Sequence, residues 1–418
     1  MKKAVVAMGG GPTRVINRSL FGIVDEAEKH GIAVLGARHG ITGLLKEEFL
    51  DLTAGSPPVS THKLLPGAMV GSTRYKPDQK DCTTAFEIFQ KQDVHYFFYI
   101  GGNDTSEAAS IINREAKAGG YELRCFHVPK TIDNDLVEND HTPGYGSAAR
   151  FVANALIGDD LDVRSLPGIK IDIIMGRKAG WLTAAAALGK RSEEDGPHLL
   201  YVPERAKSLD DLITDILGVY EKYGRAVVAI SEGLNGPDQA DFLSSPFVRK
   251  ELSAEPYAPI MAMIGTLAGV EGASGGQKMD AFGNAQLSGT GTLADVLASA
   301  MKIAAYQRYG RKIRCRADTF GYLQRSYAGD VSAVDADEAE MVGRSAVTFA
   351  VEKDCDGSVA LQAERDGGKY HARAELISLE AVAGKERYLD EDFLNADGNH
   401  VTAAFIDYAA PLVGDLLR

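Results

Sequence analysis

Cysteine is scarce in this sequence, and its four cysteines lie far apart, at positions 82, 125, 315 and 355. They form no CxxC pair, so neither a zinc site nor a framework of disulfide bonds is expected. The chain also lacks an apolar run near the ~18 residues that a membrane-spanning helix needs. Its first apolar run is too short for a signal peptide. These absences predict a soluble protein of a reducing compartment, most simply the cytoplasm.

Positive charge is also in short supply. Lysine and arginine total 45 against 58 acidic residues, which leaves a net charge of −13. Neither nucleic acid nor an anionic membrane is therefore an expected partner. Glycine, by contrast, is abundant, with 45 residues against 15 prolines. Glycine in excess without proline favours tight turns and backbone contacts to a ligand over flexible linkers.

Short apolar runs followed by glycine or polar residues recur along the chain, and apolar residues at helical spacing follow several of them. The runs cover residues 3–8, 96–100, 125–128, 169–174 and 226–230. Strands that alternate with helices predict right-handed βαβ units and an α/β fold with mostly parallel sheets. Because ligands bind beyond the carboxyl ends of such strands, the polar motifs after these runs are candidate site residues.

Two glycine loops follow the first two runs, Gly9-Gly-Gly11-Pro-Thr13 and Gly101-Gly-Asn-Asp-Thr105. Backbone N–H groups at a helix start, with no side chains in the way, form a phosphate cradle. The alternative is an ordinary turn in which Asp104 or Thr105 caps the helix. Neither loop continues into Gly-Lys-Ser/Thr as a P-loop does. Arg14 occupies the third glycine position of a dinucleotide-binding fingerprint, which disfavours a nicotinamide-dependent oxidoreductase.

The most informative stretch is Pro129-Lys-Thr-Ile-Asp-Asn-Asp135, at the end of a predicted strand. Phosphoryl transfer to an alcohol needs a carboxylate that accepts the hydroxyl proton, oxygen ligands for a metal, and a cation that balances the charge on the transferred group. This stretch contains all three kinds of group. A polar surface turn is the alternative interpretation.

Further cations and polar groups follow later runs. Met175-Gly-Arg-Lys178 adds two cations, and Ser231-Glu-Gly233 adds an acceptor suited to sugar hydroxyls. Arg316, Tyr322 and Arg325 add two arginines and a phenol. Each of these alone is more often a solvated or salt-bridged residue. If they share one edge of one sheet, they form a site for a polyanion, where this acidic protein concentrates its positive charge.

At these residues the sequence resembles the phosphofructokinase superfamily, in order from Gly9 to Arg325. Thr131-Ile-Asp-Asn-Asp135 followed by Met175-Gly-Arg177 is highly specific for that family. The resemblance implies transfer of phosphate to the 1-hydroxyl of fructose 6-phosphate, with Mg²⁺ as cofactor. By analogy with the family a homodimer is also expected, partly because the partner-subunit arginine expected before Met175 has no clear match, the nearest cation being Lys170.

The fold implied by the resemblance has two Rossmann-like three-layer lobes with mostly parallel sheets. Residues 1–145 and a later segment, about 326–375, form the implied donor-binding lobe. Residues 146–325 and the C-terminal tail form the implied sugar-phosphate-binding lobe, with an insertion at about 235–312.

The resemblance also implies roles for individual residues. Asp133 takes the proton from the sugar hydroxyl, Asp135 is its partner in the metal and charge network, and Lys130 and Asp104 complete the catalytic set. The implied donor contacts are Gly11, Arg74, Gly102, Asn103, Asp104 and Lys130. The implied sugar-phosphate contacts are Thr131, Asp133, Met175, Gly176, Arg177, Glu232, Arg316, Tyr322 and Arg325. Asn103 and Asp104 are the implied Mg²⁺ ligands.

Two positions choose the phosphate donor within the family. In members that use ATP, the second loop is similar to Gly-Gly-Asp-Gly, and a glycine occupies the position of Lys130. In this sequence Asp104 occupies the position of the last glycine of that loop. A carboxylate there would repel and crowd the α-phosphate of ATP, while Lys130 would compensate the charge of pyrophosphate. The sequence is therefore similar to the pyrophosphate-dependent branch. The alternatives are an ATP-dependent enzyme and a non-catalytic sugar-phosphate-binding subunit, which Asn103 in place of the usual aspartate would suit.

Overall fold

The computed structural model describes residues 2–53, 59–234, 291–366 and 369–417, and the predicted insertion at about 235–312 lies outside these ranges as far as residue 290. All five predicted apolar runs form strands. The strands are β1 (Lys3–Met8), β2 (Ala33–Ala37), β3 (Phe49–Asp51), β4 (Val94–Gly101), β5 (Arg124–Pro129), β6 (Ile169–Ile174), β7 (Leu199–Tyr201), β8 (Ala226–Ser231), β9 (Cys315–Thr319), β10 (Gly357–Asp366) and β11 (Lys369–Ile377).

Helices separate most of these strands. They are α1 (Ile16–Lys29), α2 (Ile41–Leu44), α3 (Val59–His62), α4 (Gln79–Gln92), α5 (Asn103–Ala118), α6 (Tyr145–Ser165), α7 (Trp181–Ala185), α8 (Leu209–Tyr223), α9 (Thr292–Tyr309), α10 (Leu323–Ser326), α11 (Ala333–Glu352), α12 (Leu379–Val382) and α13 (Ala403–Val413). Short 3₁₀ helices cover Ala186–Gly189 and Glu391–Phe393. Within the described ranges, no helix is long and apolar enough to cross a membrane.

The chain forms two compact units, each built on its own sheet. The first comprises Met1–Ala148, Arg325–Arg387 and Pro411–Gly414, and the second comprises Ala149–Gln324, Tyr388–Ala410 and Asp415–Arg418. The first sheet has the strand order β11-β10-β5-β4-β1-β2-β3, and the second has the order β7-β8-β6-β9. The second sheet is parallel throughout, and the first is parallel except at its two edges, where β3 and β11 are antiparallel to their neighbours. The predicted α/β class is confirmed.

Alternation along the strands of the first sheet produces its three layers. Val6 and Phe98 pack with apolar residues of α1 and α11 on one face. Val5 and Phe97 pack with residues of α4 and α5 on the other. Successive side chains of a strand point to opposite faces, so an uninterrupted apolar run is buried on both sides. The helices on the two faces leave the carboxyl ends of β1, β4 and β5 as the edge from which the loops emerge.

In the second sheet, the inner strand β6 has apolar side chains on one face and charged side chains on the other. Ile169, Ile171 and Ile173 of β6 pack with the apolar faces of α8 and α9. Lys170 and Asp172 alternate with them and are also buried. The Lys170 ammonium lies 3.2 Å from Asp172 and 3.4 Å from Asp159, so this cation is paired inside its own unit.

Candidate active site

Both glycine loops of the first unit lie where the sequence predicts them, each directly after a strand. The Gly9 N–H donates to the Ile100 carbonyl at 2.8 Å. This bond places the first loop beside the end of β4, where the second loop begins. A Cβ atom added to Gly9 or Gly101 would overlap the Thr105 hydroxyl oxygen. Glycine is therefore required at both positions, and the backbone of both loops approaches the first turn of α5 closely.

Lys130 lies at the centre of these loops. Its backbone N–H donates to the Gly101 carbonyl at 3.0 Å. Its ammonium donates to the carbonyl of Gly9 at 2.7 Å and to that of Gly11 at 2.8 Å. Burial, and secondarily the positive charge of Arg325, lower the pKa of Lys130 to about 7. A buried ammonium held by neutral carbonyls is a site that a phosphate anion would stabilise.

The loop after β5 brings two carboxylates close to Lys130. The Asp133 N–H donates to the Thr131 hydroxyl at 3.1 Å. Asp135 accepts a hydrogen bond from the Asn103 side-chain amide at 3.0 Å. Burial, and secondarily the charge of Asp133, raise the pKa of Asp135 to about 7. A cation bound beside Asp135 would favour its ionised form.

Asn103 and Asp135 offer the oxygen atoms that a divalent cation needs. The Oδ1 atoms of both residues are buried and accept no hydrogen bond from the described part of the protein. No group of three or more His, Cys, Asp or Glu side chains in that part could hold a metal by itself. An amide and a carboxylate that leave further positions to phosphate and water suit Mg²⁺.

Asp104, the other predicted metal ligand, contacts a different segment. Its carboxylate is half exposed and lies 3.4 Å from the ammonium of Lys76. The helix cap of α5 is Gly102, without a side-chain hydrogen bond, so Asp104 is not the cap residue that the alternative interpretation required. The structure thus separates Asp104 from the Asn103 and Asp135 oxygens.

Arg325 lies beside the first glycine loop. A Cβ atom added to Gly11 would be 2.6 Å from a terminal nitrogen of the Arg325 guanidinium. Arg325 and Arg74 both act on the pKa of Lys130, so three cations surround this edge. The resemblance assigned Arg325 to the sugar phosphate, but in the first unit its contact is to the loop that carries the implied donor residue Gly11.

The implied sugar-phosphate residues of the second unit lie mostly at strand ends. Met175, Gly176 and Arg177 follow β6, and Glu232 follows β8. The Met175 N–H donates to the Gln324 side chain at 3.1 Å. Gly176 has φ +137°, and a Cβ atom there would lie 2.5 Å from the Ala179 carbonyl, so this turn requires glycine. Glu232 is buried.

Arg316 and Tyr322 do not share these surroundings. Arg316 is the second residue of β9 and pairs with Lys170 in the sheet, about five strand residues, or roughly 16 Å, before Met175. Its guanidinium donates to the Cys315 carbonyl. Tyr322 is 42% exposed. The structure therefore does not bring Arg316 to the sheet edge that carries Met175, because the register of β9 places it at the opposite end.

Sequence reasoning missed two residues that contact predicted site residues, one in each unit. Lys76 follows Arg74 by two residues, and its proximity to the predicted residue Asp104 depends on the path of an irregular segment. Gln324, next to the predicted residue Arg325, accepts from the Met175 N–H. A lysine close to a predicted anion site was an available signal for the first, whereas no sequence signal indicated the second.

Comparison with known proteins agrees with this geometry. The model of the phosphofructokinase family matches residues 3–350. A curated pyrophosphate–fructose 6-phosphate 1-phosphotransferase from Rhodospirillum rubrum is 46% identical over 99% of this chain and 94% of that protein. One of the same name from Xanthomonas campestris is 33% identical over 97% and 90%. The crystal structure of a pyrophosphate-dependent phosphofructokinase from Marinobacter aquaeolei superimposes with a TM-score of 0.78 at 29% identity, covering 100% of this chain and 93% of that one.

Proposed function

Since the chain belongs to the phosphofructokinase family, we propose that it transfers a phosphoryl group from pyrophosphate to the 1-hydroxyl of fructose 6-phosphate. The products are fructose 1,6-bisphosphate and phosphate. One phosphoanhydride bond is exchanged for one phosphate ester bond, and the proposal includes the reverse reaction. The observation that carries the donor assignment is the buried ammonium of Lys130 on the carbonyls of the first glycine loop. It offers a positive charge to a compact polyanion between the two loops.

The transfer itself is an exchange of two P–O bonds. The sugar hydroxyl oxygen forms a bond to one phosphorus of pyrophosphate, and the bond from that phosphorus to the bridging oxygen breaks. The electron pair of the broken bond leaves with the second phosphate. The hydroxyl proton passes to the carboxylate of Asp133, while Lys130 and Arg74 balance the charge on the transferred group.

Mg²⁺ fits the oxygen atoms at the start of α5. Asn103 and Asp135 would hold it through their buried Oδ1 atoms, and Asp104, paired with Lys76, is left for donor selection. Bound there with the phosphates, the cation would neutralise charge that develops during transfer. The neutral amide of Asn103 makes this a weaker metal site than a pair of carboxylates, so metal and donor are expected to bind together.

The second unit supplies the sugar-phosphate contacts in this proposal. Arg177 is suited to grip a phosphate through two parallel hydrogen bonds, and the buried carboxylate of Glu232 is suited to accept from sugar hydroxyls. Met175 and Gly176 form the turn that leads from β6 to Arg177. A cytoplasmic homodimer is the proposed form of the enzyme, to be checked by sedimentation and cell fractionation.

A donor comparison tests the proposal. Purified protein, fructose 6-phosphate and Mg²⁺ are supplied with pyrophosphate or with ATP, and fructose 1,6-bisphosphate is quantified. We expect product with pyrophosphate only. Asp133→Asn should lower kcat at least about 10²- to 10⁴-fold and keep fructose 6-phosphate binding measurable by calorimetry. The control is Asp93→Asn, a helix-end position with φ +56° that asparagine adopts readily. Product with ATP alone overturns the donor assignment, and product with neither overturns the function.

A further inference from the structure

Lys76 forms a double ion pair beside the donor residues. Its ammonium lies 3.4 Å from an Asp104 carboxylate oxygen and 2.9 Å from a Glu107 carboxylate oxygen. Asp104 and Glu107 lie in the first two turns of α5, and all three side chains are about half exposed. The Asp104 carboxylate is therefore not a bare charge, so repulsion by Asp104 alone does not account for rejection of a nucleotide.

The ion pair joins two segments that flank the donor loops. The segment that leads to Lys76 lies along the first loop, since the Gly10 N–H donates to the Thr73 carbonyl at 2.8 Å. The second loop leads directly into α5. The Lys76 side chain therefore connects the segment beside the first loop to the helix that follows the second.

The first turn of α5 also defines a direction. Asn103 contacts Asp135 of the acceptor loop at 3.0 Å, whereas the next residue, Asp104, contacts Lys76. A donor whose transferred phosphate lies toward Asp133 has its far end away from the acceptor loop. A group attached beyond the phosphates would then extend on the side of this turn where Asp104 contacts Lys76.

We propose that Lys76, bound to Asp104 and Glu107, is a specificity-determining residue that bars the path of a nucleoside and leaves room for pyrophosphate. The inference rests on the proposed function of this site. It extends the donor argument from one side chain to three, because Glu107 continues to hold Lys76 when Asp104 is replaced. Exposed ion pairs contribute little to stability, so these substitutions test specificity rather than folding.

The test is a comparison of variants in an Asp104→Gly background. Asp104→Gly, Asp104→Gly with Lys76→Ala, and Asp104→Gly with Lys80→Ala are assayed for kcat/KM with ATP and with pyrophosphate. Lys80 is an exposed lysine in the first turn of α4 and is the matched control. Melting temperatures of all three verify that the fold is retained.

We expect Lys76→Ala to raise kcat/KM for ATP at least about tenfold over Asp104→Gly alone, which is a coupling of ordinary size for neighbouring residues, and Lys80→Ala to leave it unchanged. Equal ATP use by Asp104→Gly and by the Lys76→Ala double variant overturns the inference. So does an equal gain from Lys80→Ala. Failure of the wild-type protein to use pyrophosphate would overturn the proposed function itself, and the inference with it.

Discussion

At the scale of single residues, Lys130 has an unusual environment for a lysine. It is 3% exposed, and its ammonium is bound by backbone carbonyls rather than by a carboxylate. Burial of a cation without a full counter-charge disfavours its protonated form, which is the main reason its pKa falls to about 7. The site is therefore arranged for an anion that arrives with the substrate.

This environment predicts a pH dependence. A lysine is charged below its pKa, so the free enzyme loses the charged form of Lys130 as pH rises through about 7. We expect kcat/KM for pyrophosphate to fall over the same interval, because this ratio reports the ionisation of the free enzyme. The measurement is a pH profile of kcat/KM between about pH 6 and about pH 9.

Lys130→Arg is the control for this profile. Arginine stays charged throughout the range, and the ionisation of pyrophosphate itself is common to both proteins. The difference between the two profiles therefore isolates Lys130. An alkaline fall of the same size and midpoint in the arginine variant would show that another group causes it.

At the scale of elements, the loop after β5 is held by a closed set of hydrogen bonds. Asn134 adopts φ +56°, and its side-chain oxygen accepts from the Thr142 N–H at 3.1 Å. The Thr142 hydroxyl donates to the Thr131 carbonyl at 2.9 Å. The preceding residue, His141, is 1% exposed and contacts Glu338 of α11 at 2.6 Å. The loop that carries Asp133 is thus held against α11, which packs on one face of the first sheet.

The charge state of His141 makes this fastening depend on pH. Burial opposes its protonation, but hydrogen bonds to Asp140 and Glu338 outweigh burial and raise the pKa of His141 to about 9. The Tyr370 hydroxyl donates to the Glu338 carboxylate, and the Arg365 guanidinium forms an ion pair with Asp140. Because the pKa is higher in the folded state than the unfolded value of about 6.5, the stabilisation is complete below about pH 6.5 and is lost as pH rises through about 9.

We expect His141→Gln to lower the free energy of unfolding by on the order of 3 kcal/mol at low pH, with a deficit that shrinks between about pH 6.5 and about pH 9. Urea unfolding at several pH values measures it. His371→Gln, on the exposed side of β11, should be nearly neutral at every pH. A deficit that does not change with pH would contradict the charged state assigned to His141.

At the scale of the whole molecule, a chain with a net charge of −13 concentrates cations at one place. Lys130, Arg74 and Arg325 lie at the carboxyl edge of the first sheet, where the positive charges of both arginines lower the pKa of Lys130. Like charges held close together destabilise the unliganded protein and are relieved by a bound anion. Donor binding should therefore be visible as a gain in stability of the molecule.

Pyrophosphate with Mg²⁺ is expected to raise the melting temperature. At a hundred times its Kd, a ligand that binds only the folded protein increases the free energy of unfolding by about 2.7 kcal/mol. ATP with Mg²⁺ at the same concentration should shift it much less, and a chelator should reduce the pyrophosphate shift and abolish turnover reversibly. Scanning fluorimetry or calorimetry provides the measurement. An equal shift with ATP would contradict the exclusion of nucleotides from the site.

Local pattern was enough to predict the α/β class, five of the strands and the polar motif of residues 129–135. Apolar runs such as residues 3–8 and 169–174 become strands because they are buried on both faces, and glycine after a strand is required where the backbone approaches Thr105. The helix that begins at Trp181 tightens into a 3₁₀ turn at Ala186–Gly189. These properties depend mainly on neighbours along the chain.

Only the tertiary structure decided which distant residues meet. The contact of Lys76 with Asp104 depends on the path of an irregular segment, and the approach of Arg325 to Gly11 depends on a return of the chain to the first unit. The place of Arg316 at the start of β9 depends on strand register. Register and chain return are set by packing between elements far apart in sequence. A residue's own neighbours along the chain therefore do not encode them.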